Sequence, residues 1–279
     1  MISFFANIFG YVLNWFYGFI GNYGLAIILF SVVLKLIMLP ISIKQQKTMK
    51  KSAKIQEKMR VLQDKYKNNP EKLNQETLEL YKTEKMSPFS GCFSAIAQIL
   101  ILFAVFYLVR SPLTYMKKVD TDLINQYVTE IEQAEEGKKA TYPEISVIKQ
   151  KGGEDERVYI NMEFLGLDLS SVPTQSLSDW KVYIIPVLYV LTSFISMRMT
   201  TAIQTNKKKK DENGEDTETN ELDAVAQANK SMSYIMPIMS VSIAIIAPLG
   251  LALYWLISNL LMIVERLVLN KFLKNEEEA

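Results

Sequence analysis

Histidine is absent from this chain of 279 residues, and cysteine occurs once, at Cys92. Without histidine, no Ser-His or Cys-His nucleophile and no His-metal site can be built. A single cysteine allows neither an internal disulfide nor a Cys-metal cluster. The chain also lacks a Gly-x-x-x-x-Gly-Lys phosphate loop, a Gly-x-Ser-x-Gly elbow and a dinucleotide fingerprint. Most enzyme classes fall away on these absences, and no enzymatic activity, metal or cofactor is expected. An excess of one charge is missing as well, since 31 Lys and Arg meet 30 Asp and Glu for a net charge of +1. No overall field points at nucleic acid, and no sequence-specific contact with it is expected.

The most informative absence is local. Residues 1–34 carry no charge, and after Lys35 none follows until Lys44. Residues 86–109, 182–197 and 231–264 carry none either. A charge-free apolar run of about 18 residues or more reads as a membrane span. The run 231–264 would measure about 51 Å as one helix, against a hydrocarbon core of about 30 Å. Ala247-Pro248-Leu249-Gly250 breaks it near the middle. The expected fold is therefore an all-α polytopic membrane protein with five transmembrane helices, at 22–43, 88–109, 181–198, 231–247 and 250–268.

Loop charges set an expected orientation. Loop 44–87 holds twelve Lys and Arg against six acids, whereas acids outnumber bases in loop 110–180. Loop 199–230 places Lys207 to Lys210 near a span. The positive-inside rule then puts 44–87, 199–230 and the tail 269–279 in the cytoplasm, with the N-terminus and loop 110–180 outside. Residues 1–21 are apolar and aromatic, with Ser3, Asn7, Gly10, Asn14 and Gly18 at helical spacing as a small polar stripe. This pattern predicts an amphipathic helix in the outer interface, a sixth span being the alternative.

The soluble stretches differ in how much they say. In 44–87, Ser52, Ile55, Met59, Leu62 and Tyr66 follow three- and four-residue steps, a narrow apolar seam. Asn69 is positioned to cap a second helix with Pro70 at its first position, and Leu73, Thr77, Leu80 and Tyr81 continue the seam. A helical hairpin is the result. Loop 110–180 is mixed in pattern and 117–160 carries no interpretable motif, while 164–169 is apolar enough to rest on a membrane surface. Residues 205–223 have the composition of a disordered linker.

Lys35 stands out because a charge at mid-span costs roughly 2.5–3.5 kcal/mol even on lenient insertion scales. Snorkelling is the ordinary remedy. Here the side chain tilts toward the helix N-terminus, away from the nearer, cytoplasmic interface. No acid precedes Glu265 in any of the five spans, so no partner within the membrane is expected. The functional reading is that Lys35 faces water inside the protein. Four-residue pairs add polar faces on the spans: Ser31 with Lys35, Ser94 with Gln98, Thr192 with Ser196, and Trp255 with Asn259. Pairs with Ser or Thr also serve as helix-helix glue. Gln98 and Asn259 are the stronger signals, because their amides need partners in a low dielectric.

In this order the segments resemble the YidC-type membrane protein insertases, relatives of the mitochondrial and chloroplast insertases. The resemblance is carried by Asn22-Tyr23-Gly24-Leu25-Ala26-Ile27-Ile28, by Lys35 through Pro40 and by Lys44-Gln45-Gln46. It continues through Tyr66 to Asn74, Ser87 to Cys92, Gln98, and Pro248 through Asn259. It covers about residues 20–109 and 160–272. It implies five core helices around a hydrophilic groove open to the cytoplasm and to lipid. Lys35 falls at the groove's basic position, Ser31 at a small hydroxyl position, Ser196 where many members carry glutamine, and Trp255 at a groove aromatic. Gln98 and Asn259 complete the expected lining. The chain departs from the family in having lysine for the usual arginine, which loses bidentate carboxylate binding but keeps the charge. Ser94 stands where proline is usual, no lipoprotein signal is present, and 117–160 looks like an insertion.

The implied function is insertion and folding of nascent membrane proteins, alone or with the Sec translocon, in a bacterial cell membrane. The implied partners are nascent membrane proteins, the lipid bilayer, the Sec translocon, targeting factors and the ribosome. Lys54, Lys58, Arg60, Lys65 and Lys67 of the hairpin offer the docking surface. The alternative is a small-solute carrier or channel in which Lys35 binds an anion. Against it, no inverted repeat is visible across the five spans.

Overall fold

The computed structural model describes residues 2–67, 69–84, 92–204 and 242–278. These residues are mostly helical. The chain divides into two compact units, one of Met1–Ile37, Gln98–Ser193 and Ser240–Ala279, the other of Met38–Ala97 and Phe194–Met239. Among the described residues, three stretches are long and apolar enough to cross a membrane: Tyr23–Thr48, Trp180–Met199 and Leu249–Lys271. They overlap the first, third and fifth expected spans. The expected fourth span lies outside the described residues except for 242–247, of which 242–246 are helical. The linker 205–230 also lies outside them.

In the first unit, α1 (Ile2–Ile20) packs on a π-helical turn, Leu113–Lys117. The polar stripe expected to face water is in part the packing face. Gly10 is buried, and a Cβ there would lie 1.9 Å from the Tyr115 carbonyl oxygen. The stripe's small residues thus permit backbone approach, which helical spacing alone cannot distinguish from solvation. Ala6, Phe9 and Leu13 share this buried face, and Phe9 meets Phe30 edge to face at 5.6 Å. The opposite face carries exposed Phe4, Ile8, Tyr11, Trp15 and Phe19.

The region 110–183 is folded rather than loop-like. Helix α5 (Thr121–Ala134) starts at Asp120, whose side chain accepts from the Asp122 N–H, and α6 (Pro143–Lys151) opens on a proline. The two helices pack together, and Ile124, Ile131, Ile145, Val147, Ile148, Val158 and Ile160 are buried. The buried Glu144 carboxylate receives the Thr114 N–H at 3.0 Å and the Thr114 hydroxyl at 2.6 Å, which fastens α6 to the π-helical turn. Strands β1 (Glu163–Phe164) and β2 (Leu167–Asp168) form an antiparallel ribbon with Glu163 opposite Asp168 and Phe164 opposite Leu167. Leu165 and Gly166 at its tip both have positive φ, as a two-residue hairpin turn requires.

This ribbon anchors two long helices. The Tyr23 N–H, at the start of α2 (Tyr23–Lys65), donates to the Asn161 carbonyl at 3.0 Å, and the Phe164 side chain packs against Gly24. At the start of α8 (Leu249–Glu278), the Leu249 N–H donates to Ser171 O at 2.9 Å and the Gly250 N–H to Leu169 O at 3.0 Å. These bonds satisfy N–H groups that a helix start leaves without partners. Both helices therefore begin at one level. Tyr23 lies by Gly250, and Phe30 lies by Tyr254 at 6.4 Å, so α2 and α8 run parallel here. The end of α4 (Cys92–Arg110) reaches the start of α8 through Val109 and Gly250.

In the second unit, α2 continues without a break to Lys65. The helix passes through Pro40, and good helix formers follow it. Helix α3 (Pro70–Thr83) starts where expected: Asn69 Oδ1 accepts from the Lys72 N–H at 3.1 Å and Pro70 opens the first turn. The pairs Tyr66–Glu76 and Lys58–Glu84 show that α3 runs antiparallel to the end of α2. Ile55, Met59 and Thr77 are buried on the predicted seam.

Two outcomes follow. Gly10→Ala drives a methyl into the Tyr115 carbonyl and should lower the thermal stability of the detergent-purified protein by about 1–3 kcal/mol. Gly18→Ala meets nothing within 4 Å and should be neutral or stabilising. Burial pushes the Glu144 carboxyl above the usual glutamate range, despite the hydrogen bonds it accepts. Its folded form therefore holds the proton more tightly than its unfolded form. Its contribution to stability is complete below the ordinary glutamate pKa and is lost as pH rises through the folded value. Melting curves taken from pH 4 to 8 should show Glu144→Gln losing less stability over that rise than the parent.

Candidate functional site

Ser31 and Lys35 lie one turn apart on α2. Ser31 is buried and donates to the Ile27 carbonyl at 2.7 Å, so its hydroxyl is satisfied by its own helix. The Lys35 ammonium forms an ion pair with Glu265 Oε2 on α8. The lysine side chain is 24% exposed and the glutamate side chain 8%. This corrects the expectation that Lys35 has no partner within the spans. Lys35 is about 18 Å along α2 from Tyr23, and Glu265 about 24 Å along α8 from Leu249. Because the two helices start level and run parallel, the long lysine side chain spans the difference.

Glu265 Oε1 is buried and has no hydrogen-bond partner among the described residues. The carboxylate is thus half satisfied. Arg266, next along α8, is near enough to attract it electrostatically.

Trp255 and Asn259 are one turn apart on α8 and mate with residues one turn apart on α7 (Ile184–Gln204). The buried Trp255 ring lies 5.7 Å from the Tyr189 ring. Asn259 Nδ2 donates to Ser193 Oγ at 2.7 Å. The two pairings also make α7 parallel to α8. Sequence spacing had singled out Thr192 and Ser196 on this helix. The Thr192 hydroxyl instead returns to the Tyr189 carbonyl at 2.9 Å, and the partner of Asn259 is Ser193. Ser196 is buried and belongs to the second unit. Gln98 is exposed on α4. The structure thus brings Lys35 to Glu265 and both Trp255 and Asn259 to α7.

The basic hairpin is described by itself. Lys54, Lys58, Lys65 and Lys67 are exposed on it, and Arg60 is on the same helix. Lys58 is 2.5 Å from Glu84, whose carboxyl it holds below the usual glutamate range. Lys65 lies over the Tyr66 ring, 5.1 Å from its centre.

Residues 15–277 match the family model described as 60Kd inner membrane protein. The chain is 27% identical over 271 residues to the membrane protein insertase YidC of Caldanaerobacter subterraneus, covering 96% of each chain. It is 27% identical over 276 residues to the membrane protein insertase YidC of Chlorobaculum tepidum, covering 96% of this chain and 36% of that one. It is 45% identical over 100 residues to the membrane protein insertase YidC of Chlorobium limicola, covering 36% of this chain and 17% of that one. The chain therefore spans about a third or less of the length of the Chlorobaculum and Chlorobium relatives, and nearly all of the Caldanaerobacter one.

Breaking the ion pair from either side should cost unequal amounts. Lys35→Met strands the more buried charge and should destabilise by about 3–5 kcal/mol in thermal unfolding. Glu265→Leu strands the more exposed one and should cost less. The double substitution should recover most of the loss, and simple additivity of the two single changes would show that the groups do not interact.

Proposed function

The chain belongs to the 60Kd inner membrane protein family, and on that premise we propose that it is a membrane protein insertase that passes nascent chains through a hydrophilic groove carrying Lys35. The observation that carries the reading is a lysine about 18 Å down an apolar helix of membrane length, with about a quarter of its side chain still exposed. The groove residues proposed with it are Ser31, Gln98, Trp255 and Asn259.

The helix directions support five spans. If α2, α7 and α8 all cross the membrane, they cross in the same direction. The chain must then return twice. Helix α4, whose end reaches the start of α8, makes the first return, and the second falls between α7 and α8. The loop-charge rule puts the shared starting end outside and the hairpin in the cytoplasm. The chain is then a multi-pass protein of a bacterial cell membrane with its N-terminus outside. Helix α1 lies in the outer interface with Phe4, Ile8, Tyr11, Trp15 and Phe19 toward lipid, where aromatic side chains are favoured.

A nascent chain enters from the cytoplasmic side, with the exposed lysines of the hairpin docking a targeting factor, the ribosome or the Sec translocon. Lys35 attracts an acidic residue in the short segment that must cross. In a partly dry groove this attraction exceeds its value in bulk water. The segment then faces less than the full barrier of about 30 Å of hydrocarbon. Its hydrophobic span moves into lipid and leaves water, at roughly 25 cal/mol per Å² of apolar surface. The scheme requires no bond to be made or broken.

Insertion assays with reconstituted protein check this. Lys35→Glu should abolish insertion of substrates whose translocated tails are acidic, and Lys35→Arg should retain it. Water access is the second measurement. In a Cys92→Ser background, a thiol placed at position 35 should react with an impermeant maleimide from the cytoplasmic side alone. Reaction from both sides would favour an anion carrier, and reaction from neither would remove Lys35 from the mechanism.

A further inference from the structure

We propose that Glu265 is a resident counter-ion for Lys35, which an acidic residue of the incoming chain displaces. The proposal rests on the insertase reading and adds a residue that sets substrate preference. Three observations carry it. The Lys35 ammonium pairs with the Glu265 carboxylate between two parallel helices of one compact unit. One carboxylate oxygen takes the ammonium, while the other is buried with no hydrogen-bond partner among the described residues. Lys35 keeps about a quarter of its side chain exposed, so a second anion can reach it.

A purely structural buried pair satisfies its remaining lone pairs with further hydrogen bonds, because the desolvation penalty is otherwise unmet. This one leaves an oxygen orphaned, which places the pair among half-satisfied networks. Such a contact neutralises Lys35 at rest and yields to a better-placed carboxylate. An ammonium has three donors, so the arriving acid engages Lys35 before Glu265 lets go. The exchange keeps at least one carboxylate on the lysine at every stage, and the displaced Glu265 carboxylate stays within electrostatic reach of Arg266. A neutral crossing segment offers no such exchange, and Lys35 stays paired. Glu265 therefore raises the threshold that an acidic tail must pass, and it keeps weakly attractive chains out.

The test compares the full-length protein with Glu265→Gln in proteoliposomes. The substrates are two single-span proteins that differ only by Asp or Asn in the translocated tail. With the counter-ion gone, the acidic-to-neutral ratio of insertion rates should rise about tenfold, the scale of a charge-assisted hydrogen bond. Glu265→Asp, which draws the carboxylate back by one methylene, should give an intermediate ratio. It also guards against a glutamine variant that fails to fold. An unchanged ratio in both variants, with both substrates still inserting, overturns the counter-ion role and leaves the insertase reading standing.

A second readout does not depend on insertion. Acylation of Lys35 by an amine-reactive ester, followed by mass spectrometry, should be several-fold faster in Glu265→Gln than in the parent. A soluble acidic-tail peptide should slow it in both proteins, and more strongly in the variant. Equal acylation rates without peptide would overturn the pairing whatever the insertion assay gives. Should the parent insert neither substrate, the insertase reading fails, and peptide protection of Lys35 then decides whether an anion still displaces Glu265.

Discussion

Much of the first unit depends on a few backbone hydrogen bonds between the 161–171 segment and the first turns of α2 and α8. An N–H at the start of a helix has no partner within that helix and must find one elsewhere. Here the carbonyls of Asn161, Leu169 and Ser171 supply it. The consequence is a common origin for two helices that are distant in sequence. Once they start level and run parallel, residues at similar distances along them meet. Phe30 reaches Tyr254, and Lys35 reaches Glu265. The same parallel alignment brings α7 against α8 through Tyr189 and Ser193.

Within that frame, the charge in the middle of an apolar run is no longer anomalous. A lone lysine at this depth depends on water or on snorkelling. A lysine beside a carboxylate forms a neutral pair, and its remaining exposure keeps it within reach of another anion. Ser31, one turn away, has bonded back to its own helix and does not compete for the ammonium. Trp255 and Asn259 use their polar groups and ring faces to join helices, so in the resting molecule they are structural contacts as much as lining.

Local chemistry in the sequence was legible. Asn69 and Pro70 mark a helix start that forms as read, and the Ile55, Met59 and Thr77 seam is buried in the hairpin. Among the described residues, the apolar runs give three helices of membrane length. What escaped reading was long-range or depended on facing. Glu265 is visible as the first acid after a charge-free run, yet nothing in its neighbourhood says that its face meets that of Lys35. Ser193 was passed over for Thr192 and Ser196, because four-residue spacing marks a face without saying which face is used. Gly10 read as polar and proved to be a point of backbone contact. Region 117–160 carried helix signals at Asp120 and Pro143, with Ile124, Tyr127, Val128 and Ile131 in register, but its mixed charge hid a folded core.

The pairing of residue 35 with residue 265 also imposes an order of events on the chain's own synthesis. The two residues are separated by 230 positions, and the helix that bears the glutamate is made well after the one that bears the lysine. At roughly 5–20 residues per second, the lysine waits on the order of 10–50 s after leaving the ribosome before its partner exists. During that interval the first long helix carries an unneutralised cation, and the anchoring carbonyls of the 161–171 segment arrive before the helix that completes the arrangement. Assembly therefore closes from the middle of the chain outward in time. The newborn protein is itself a membrane chain with an awkward charge to shelter until the helix that bears Glu265 is in place.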